Sequence, residues 1–516
     1  MKRRSFLKHV GHSMALPGVL SSVGLSASGQ GMKKLLQLAS DSNRVLVMIY
    51  LEGGNDGLNT VIPMNHLSAL NDIRPDVVLP EESLMNLQQS QVALHPSLSN
   101  FKSLYSEGKL AVVQNVGYPQ PNYSHFRSTD IWMSGSSSDE LVTSGWAGRH
   151  LSEKHPEYPD QYPTDADPLA IELGFGASLL LQGPASSMGM VIQNPDSFYQ
   201  LVDNVEQTAP DTPAGDKLKY IRLIAKQSQQ FGEIVKEAAS RVNNLATYPM
   251  EDDNDLADQL KIVSRLIAGG LSTPMYLVKI GGFDTHESQV VEGNHAIGNH
   301  ANLLAQVDQA VSAFMKDLEL LGTDDRVVGM TFSEFGRRPV SNASLGTDHG
   351  SAAPMFFFGN AVKGGVIGSN PLIDSSMTYE DNLTHEFDFR QLYASILEQW
   401  FGVSSETVAS VLLGSFDTIE IIGESLVTGT PNPVENKLNV FPNPLNDQAF
   451  IELLADGQPL SMDLMDLQGR IVHRIYSGTL SAGKHTIQWN TSGVKKGHYF
   501  VIQKSQSGKR VVSVVK

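Results

Sequence analysis

The chain of 516 residues contains no cysteine. Disulfide bonds, thiolate metal ligands and cysteine nucleophiles are therefore excluded throughout the protein. Any metal site has to use histidine, aspartate, glutamate, asparagine or serine side chains. A chain of this length can bury a large hydrophobic core, so its stability does not require disulfide bonds.

Clusters of basic residues and long apolar runs are also missing. The body has no block of lysine and arginine, and the formal net charge is -17, which argues against a nucleic-acid partner because binding the phosphate backbone needs clustered cations. The apolar stretch near the N-terminus is interrupted by His12 and Pro17, so it is too weak for a permanent membrane span. No integral membrane span is expected after signal removal.

Residues 1–30 begin "MKRRSFLKHV", with Arg3 and Arg4 ahead of a mildly apolar stretch that ends in small residues. This segment resembles a twin-arginine export signal, a type that carries proteins already folded. A cytoplasmic N-terminus with a chance pair of arginines is the alternative. Because the whole run from Lys2 to Lys8 fits the signal, we predict export to the periplasm, the cell surface or the medium.

Residues 44–423 alternate buried-strand patterns with helical patterns, which predicts an α/β body with a mainly parallel sheet sandwiched by helices. The predicted strands are Val45–Leu51, Leu110–Val116, Met275–Ile280, Arg326–Phe332 and Pro354–Gly359. The predicted helices are Pro96–Ser106, Asp216–Leu245, Leu256–Ile267, Ala296–Leu321 and Phe389–Phe401. Ligands of such sheets bind beyond the carboxyl ends of the strands, so the residues there are the first candidates for function.

The C-terminal part changes character. Residues 424–435 form a linker rich in Pro, Asn, Gly and Thr, and residues 436–516 contain short alternating strands that predict a small all-β sandwich. The segments "NKLNVFPNP", "MDLMDLQGRIV" and "GKHTIQWNTSGVKKGHYFVIQK" resemble the C-terminal sorting domain of the type IX secretion system. That resemblance implies type IX secretion machinery as a partner. A generic immunoglobulin-like carbohydrate module is the alternative, but no exposed aromatic cluster favours it.

Candidate ligands and catalytic groups follow each predicted strand. The segments are "EGGNDGLNT" with Asp56, "GYPQPNYSHFRSTDIW" with Ser124, His125 and Arg127, "GGFDTHESQ" with Asp284 and His286, "SEFGRRP" with Glu334, and "GTDHG" with His349. Two residues that are two positions apart in an extended segment point to one side, so Asp284 and His286 can share one metal ion. His349 can close that site from another strand.

A second, more oxygen-rich metal site is predicted from Asp56 or Asn55 with Glu334. Two divalent ions, with zinc, manganese and calcium as the candidates, can clamp the oxygens of a phosphoryl or sulfuryl group. Ser124, at the start of a predicted helix, is the candidate nucleophile, with His125 and Arg127 beside it as further catalytic candidates. Ser124 can equally be a simple helix N-cap, Asp284 and His286 can form an ordinary turn, and His349 can cap a turn.

The segments "LEGGNDGLNT", "YSHFRSTDIWMSG", "GWAGRHL", "TFSEFGRRP" and "GTDHGSAAPMFFFG" together resemble the domain-of-unknown-function family 1501. This family is a branch of the alkaline phosphatase and sulfatase superfamily, and the resemblance covers roughly Arg44 to Gly423. It implies an alkaline-phosphatase-like fold and places His349 where these enzymes have their last metal histidine. The chain departs from the superfamily at Ser333-Glu334, where an Asp-His pair is usual.

The sequence therefore predicts an exported metal-dependent hydrolase of a phosphate or sulfate ester, with a small-molecule or glycan substrate. The competing hypothesis is a non-catalytic surface or periplasmic protein that retains the superfamily scaffold. The unusual Glu334 favours an altered site, whereas Asp284, His286 and His349 favour metal binding. Glu334 can also form an ion pair with Arg337 or Arg338 instead of binding a metal.

Overall fold

The computed structural model describes residues 44–159, 161–163, 166–174, 176–193, 212, 231–423, 439–441, 445, 448–455, 459–466, 471–481, 483–505 and 508–516. The chain divides into two compact units, Met1–Gly429 and Thr430–Lys516. The predicted signal (residues 1–30) and the predicted linker (residues 424–435) lie outside the described residues. Among the described residues, no helix combines the length and the apolar character needed to cross a membrane.

The first unit is built on strands that alternate with helices along the chain. The strands are β1 (Val45–Leu51), β2 (Val61–Pro63), β3 (Met85–Asn86), β4 (Val92–Leu94), β5 (Leu110–Gly117), β6 (Ala170–Leu173), β7 (Met190–Ile192), β8 (Met275–Ile280), β9 (Val327–Phe332), β10 (Arg337–Ser341), β11 (Thr347–His349), β12 (Ala353–Phe358), β13 (Gly365–Ile367) and β14 (Phe387–Asp388). The five predicted strands are therefore found, each within one residue of its predicted ends.

The helices of the first unit follow the predicted order. They are α1 (Gly57–Thr60), α2 (Leu67–Ile73), α3 (Ser99–Ser106), α4 (His125–Ser134), α5 (Trp146–Lys154), α6 (Asp255–Ala268), α7 (Asn299–Leu321), α8 (Phe389–Ser395) and α9 (Ser405–Val411). Residues 231–241 are also helical and belong to the predicted helix Asp216–Leu245, whose first part, residues 216–230, lies outside the described residues. Short 3-10 turns lie at Met64–His66, Glu81–Ser83, Leu179–Leu181 and Asp324–Arg326, and Ile396–Trp400 continues α8 as a π-helix.

A nine-stranded sheet forms the centre of this unit, in the order β13-β5-β12-β9-β1-β8-β6-β7, with β14 paired to β5. All of its pairs are parallel except those of β12, which runs antiparallel to both β5 and β9. Consequently the carboxyl ends of β5, β9, β1 and β8 share one edge of the sheet with the amino end of β12. The strand directions thus bring the residue before β12 to the same edge as the residues after its neighbours.

Both faces of the sheet are buried. Val45, Val47 and Ile49 belong to one hydrophobic core, whereas Leu46 and Met48 belong to the other. Because successive side chains of a strand point to opposite faces, this division shows that helices cover both sides of the sheet. The predicted α/β class is confirmed.

The second unit is antiparallel β structure with its own small core. Its strands are β15 (Asn439–Phe441), β16 (Gln448–Ala455), β17 (Pro459–Asp466), β18 (Ile471–Thr479), β19 (Gly483–Asn490), β20 (His498–Ser505) and β21 (Gly508–Val515). They form one sheet in the order β15-β16-β19 and another in the order β18-β17-β20-β21. Side chains from both sheets, among them Ile451, Trp489 and Met462, share the core, so the predicted all-β sandwich is confirmed.

Candidate metal centre

Four side chains meet at the edge of the sheet where most strands end: His125, Asp284, His286 and His349, here called the ligand cluster. His125 begins α4 after β5, Asp284 and His286 follow β8, and His349 ends β11 just before β12. A ligand atom from each of His125, Asp284 and His349 lies within 4.8 Å of the others. The predicted trio of Asp284, His286 and His349 is therefore brought together, and His125 joins it.

The side-chain atoms of the cluster that could bind a metal face one another. The Nε2 atoms of His286 and His349 are 2.8 Å apart, and they lie 3.2 Å and 3.3 Å from Asp284 Oδ1. His125 Nε2 lies 3.4 Å from Asp284 Oδ2. Three imidazole nitrogens and a carboxylate thus converge on one small volume.

The opposite ring nitrogen of each histidine is held by an oxygen atom. The Nδ1 atoms of His125, His286 and His349 lie 2.7 Å from Glu334 Oε1, Asp348 Oδ1 and the Tyr123 carbonyl oxygen, respectively. A carbonyl or an ionised carboxylate only accepts hydrogen bonds, so when these imidazoles are neutral each Nδ1 carries the hydrogen and each Nε2 presents a lone pair. The Nε2 atom of His125 is buried and has no hydrogen-bond partner among the described residues.

Convergent lone pairs beside a carboxylate repel one another unless a cation lies between them. A divalent metal ion held by His125, Asp284 and His349 would satisfy these atoms, including the unpartnered Nε2 of His125. His286 Nε2 lies next to this set, 2.8 Å from His349 Nε2. The hydrogen bonds to the Nδ1 atoms match the outer partners that fix the ring orientation of metal-binding histidines in proteins. The residues present therefore fit a divalent cation.

Arg337 holds the Asp284 carboxylate in place by a hydrogen bond. Its guanidinium is fully buried, donates to Asp284 Oδ1 at 2.7 Å, and also donates to the carbonyl oxygens of Gly53, Gly54, Phe283 and Thr347. Burial raises the pKa of Asp284, but the Arg337 guanidinium and the neighbouring histidines outweigh it and lower this pKa to about 2. The carboxylate is therefore ionised at neutral pH and ready to accept a cation.

Burial lowers the pKa of His349, although the Tyr123 carbonyl and the Asp284 carboxylate beside its ring act in the opposite direction. A neutral imidazole is the form that binds a metal ion. The direction of this shift therefore suits a ligand.

Glu334 reaches the cluster only through His125. Its carboxylate is fully buried and accepts hydrogen bonds from the Gly53 N–H at 3.0 Å and 3.2 Å, in addition to its contact with His125 Nδ1. Gly53 has φ of 123°, and a Cβ atom there would lie 2.3 Å from the backbone nitrogen of Asp284. The first turn after β1 thus needs glycine to approach the segment that carries Asp284.

Asp56, the other predicted member of a second metal site, is fully buried beside Arg74. Its Oδ2 atom lies 2.5 Å from Arg74 Nη2 and accepts from Gln289 Nε2 at 2.6 Å, and its Oδ1 atom accepts from the Leu58 N–H at the start of α1. Burial raises the pKa of Asp56, but the ion pair with Arg74 outweighs it and lowers the pKa. The structure does not bring Asp56 into the ligand cluster, and its role in metal binding stays a prediction.

The three predicted catalytic residues have different surroundings. Ser124 is exposed and precedes α4, and its side chain makes no capping hydrogen bond. Arg127 donates to the carbonyl oxygens of Ser137, Ser138 and Glu140, so it holds the turn that follows α4. His125 belongs to the ligand cluster.

A cleft of about 540 Å³ opens beside the cluster, and its lining includes His125, Asp284 and Glu334. The other lining residues are Tyr50, Glu52, Gly53, Phe126, Thr129, Asp130, Gly281 and Gly282. Among these residues the charged side chains are all acidic, apart from the histidine. With this acidic lining, an anionic ligand would need a bound cation to be attracted to the cleft.

Sequence reasoning missed the partners that orient the ligands. Asp348 directly precedes His349 and contacts His286, and the Tyr123 carbonyl precedes Ser124 and contacts His349. Arg337 is completely buried, whereas its neighbour Arg338 contacts Tyr379 and Glu380 near the surface. The position of Asp348 next to a predicted ligand was the one available signal.

Two family models match separate parts of the chain. Residues 194–412 match a family described as a protein of unknown function, DUF1501, and residues 439–516 match the secretion system C-terminal sorting domain. A comparison with curated protein sequences found no match.

Several solved structures are similar at low identity. A sulfatase from Pseudoalteromonas sp. is 11% identical, with a TM-score of 0.34, covering 90% of this chain and 88% of that one. A phosphonate monoester hydrolase from Silicibacter pomeroyi is 9% identical, with a TM-score of 0.32 and coverage of 92% and 89%. A protein in the alkaline phosphatase superfamily from Vibrio parahaemolyticus is 10% identical, with a TM-score of 0.34 and coverage of 93% and 91%.

Proposed function

We propose that this exported protein is a metal-dependent hydrolase of a phosphate or sulfate ester. Its residues 194–412 match the DUF1501 family model, and its residues 439–516 match the secretion system C-terminal sorting domain. The sorting domain indicates export to the cell surface or secretion. The observation that supports the metal site is the convergence of the Nε2 atoms of His125, His286 and His349 on Asp284, with every Nδ1 atom held by an oxygen.

Three imidazole nitrogens with one carboxylate suit zinc or manganese, whereas calcium prefers ligand sets made entirely of oxygen. Of the candidate metals, zinc and manganese are therefore favoured over calcium. A divalent cation bound there supplies a Lewis acid that polarises an ester oxygen. Such a cation also offsets the acidic lining of the cleft, which allows an anionic ester to approach.

Ser124 is the proposed nucleophile because its surroundings leave its hydroxyl available. It lies between Tyr123 and His125, which both contact the ligand cluster or belong to it. It also directly precedes α4, a helix of ten residues, and its side chain does not cap the first N–H groups of that helix. These N–H groups and the helix dipole favour an oxyanion at this position.

In the proposed reaction the Ser124 oxygen attacks the phosphorus or sulfur atom, and the bond to the alcohol breaks. The alcohol leaves with a proton, and water then cleaves the serine ester to restore the hydroxyl and release phosphate or sulfate. The adjoining cleft has the volume of an ordinary ligand pocket, and it provides room for the alcohol of a small-molecule or glycan ester.

The first test is the metal content of the full-length protein, purified without chelator and analysed by elemental analysis. We expect about one equivalent of zinc or manganese per chain. His349→Ala should retain less than about a tenth of this metal, because it removes one ligand and the contact to Asp284. His155→Ala, which alters a histidine beside Glu157 outside the cluster, is the matched control and should keep the full amount.

The same preparations are then assayed for hydrolysis of phosphate and sulfate esters of nitrophenol. Ser124→Ala should keep its metal and lose at least about 10³-fold in kcat, because it lacks the attacking oxygen. Unchanged turnover in this variant would assign the attack to water. A wild-type protein that takes up neither zinc nor manganese would contradict the proposed function and favour a non-catalytic scaffold.

A further inference from the structure

Each of the two segments that carry most of the ligand cluster contains a buried threonine. Thr285 lies between Asp284 and His286, and Thr347 precedes Asp348 and His349. Both threonines are buried, whereas Asp284 and His286 lie on the accessible side. Side chains alternate along an extended segment, so Thr285 points to the side opposite Asp284 and His286. Thr347 is completely buried and lies inside the protein as well.

One side chain bonds both threonines. Gln289 is fully buried, and its Oε1 atom accepts from Thr347 Oγ1 at 2.7 Å and from Thr285 Oγ1 at 3.1 Å. The backbone continues the connection, because the Thr347 N–H donates to the Thr285 carbonyl oxygen and the Gln289 N–H donates to the Leu345 carbonyl oxygen. Gln289 therefore joins the two ligand-bearing segments at the point where they run side by side.

The buried pair of Asp56 and Arg74 sets the orientation of this amide. Gln289 Nε2 donates to Asp56 Oδ2 at 2.6 Å, and a carboxylate can only accept. The reverse orientation of the amide would place its oxygen against the Asp56 carboxylate and its N–H groups against the threonines. The ion pair therefore keeps Oε1 directed at Thr285 and Thr347.

We infer that Gln289 is a positioning residue for the metal centre. Its hydrogen bonds hold segments 284–286 and 347–349 at a fixed separation. Asp56 acts through this amide and touches no ligand of the cluster in the structure. The inference rests on the proposed metal site and adds the device that aligns its ligands. Outer partners of metal ligands commonly contribute about 10- to 100-fold in metal affinity.

The test is a zinc titration of the full-length, metal-depleted protein with a competing chelator. Gln289→Met keeps the length of the side chain and removes its hydrogen bonds, so we expect the zinc Kd to rise at least about 10-fold. Thr347→Val removes a single hydroxyl with little change of shape and should raise the Kd by a smaller factor. Gln259→Met is the matched control, because Gln259 bonds the backbone of Lys279 in β8 and contacts neither segment; its Kd should stay within about twofold.

A double-mutant cycle separates positioning from a general loss of stability. If Gln289 acts through Thr347, the double variant should bind zinc about as weakly as Gln289→Met alone, because the second change removes a hydrogen bond that is already lost. If the double variant instead raised the zinc Kd by the product of the two single-variant factors, action through Thr347 would be contradicted. Zinc affinity in Gln289→Met equal to that of the wild type would overturn the inference while leaving the proposed function intact.

Amide hydrogen exchange in the metal-free proteins tests the role of Gln289 separately from the proposed metal-dependent function. The Thr347 N–H bridges the two segments, so it should exchange at least about 10-fold faster in Gln289→Met than in the wild type. If the wild type binds neither zinc nor manganese, the proposed function fails, and this exchange rate alone decides the inference. An unchanged rate at Thr347 would then overturn the role of Gln289 as well.

Discussion

The histidines of the first unit differ in how their ring nitrogens are surrounded. Those of the ligand cluster are partly exposed and have an oxygen at Nδ1, whereas His95, His150 and His300 are almost completely buried. Burial lowers the pKa of His95 and His150 to about 3 and that of His300 to about 4. These three residues are therefore neutral in the folded protein at ordinary pH, and protonation of them opposes folding.

His150, which does not line the cleft, offers a test of how protonation of a buried histidine opposes folding. Its folded-state pKa of about 3 lies below the unfolded value near 6.5, so the unfolded chain binds the proton more readily. The stability it contributes is complete above pH ~6.5 and is lost as pH falls toward 3. From pH 7.5 to 5.0 the loss should be about 2 kcal/mol for this one group.

The measurement compares the free energy of unfolding in urea at these two pH values for the wild type and for His150→Leu. The variant has no titrating group at this position, so its stability should fall by about 2 kcal/mol less than that of the wild type. Equal losses in both proteins would show that His150 is already protonated in the fold or is not responsible.

Candidate ligands can be named from the sequence only where local spacing brings them together. Asp284 and His286 were paired by their alternation, and His349 by its place before an apolar strand. His125 was assigned a catalytic role because it follows Ser124, and the structure shows it facing Asp284. The contact of Asp56 with Gln289 joins positions 233 residues apart, which depends on packing that no local pattern records.

At the scale of elements, the turn after β1 connects three parts of the site. The Gly53 N–H donates to Glu334, its carbonyl oxygen accepts from Arg337, and its Cα faces the backbone of Asp284. A side chain at this position would meet Asp284 and would also be strained at φ of 123°. The turn therefore couples the end of β1 to the segment after β8.

Gly53→Ala should destabilise the protein by at least about 3 kcal/mol, because it combines backbone strain with a steric clash. Gly108→Ala is the matched control, since Gly108 also has a positive φ, of 73°, but open space where a Cβ would lie. That control should cost only about 1 kcal/mol. The free energy of unfolding in urea measures both, and equal costs would contradict the close approach at Gly53.

The elements themselves were predictable to different degrees. A continuous apolar run of seven residues identifies β1. The largely apolar runs of β8 and β9, interrupted by Lys279 and by Gly329 and Thr331, also fit strands buried on both faces. The antiparallel direction of β12 could not be predicted, since its run is equally apolar in either direction. The short strands β6 and β7 were missed because four and three residues are too few to show a pattern.

At the scale of the whole molecule, the division into two units separates the site from the sorting domain. Every residue of the ligand cluster and its described partners lies in the first unit, which ends at Gly429. Each unit also has its own hydrophobic core. The features that could bind a metal and those that direct export therefore belong to different parts of the chain.

Deletion of Thr430–Lys516 should leave a folded first unit that keeps its metal content but stays inside a bacterium that has the type IX machinery. Cell fractionation followed by immunodetection measures the location, and elemental analysis measures the metal. The control replaces the exposed Ile471 of β18 with Thr and should leave export unchanged. Normal delivery of the shortened protein would contradict the role assigned to the sorting domain.

The strands that form the site are neighbours in the sheet but distant along the chain. His125 and Glu334 are 209 residues apart, and His286 and His349 are 63 residues apart, so several long loops have to close before these side chains meet. A growing or partly folded chain can present single ligands but not the set. High-affinity metal capture would therefore be a late event in folding, and a chain that holds its ion has already assembled the centre of its sheet.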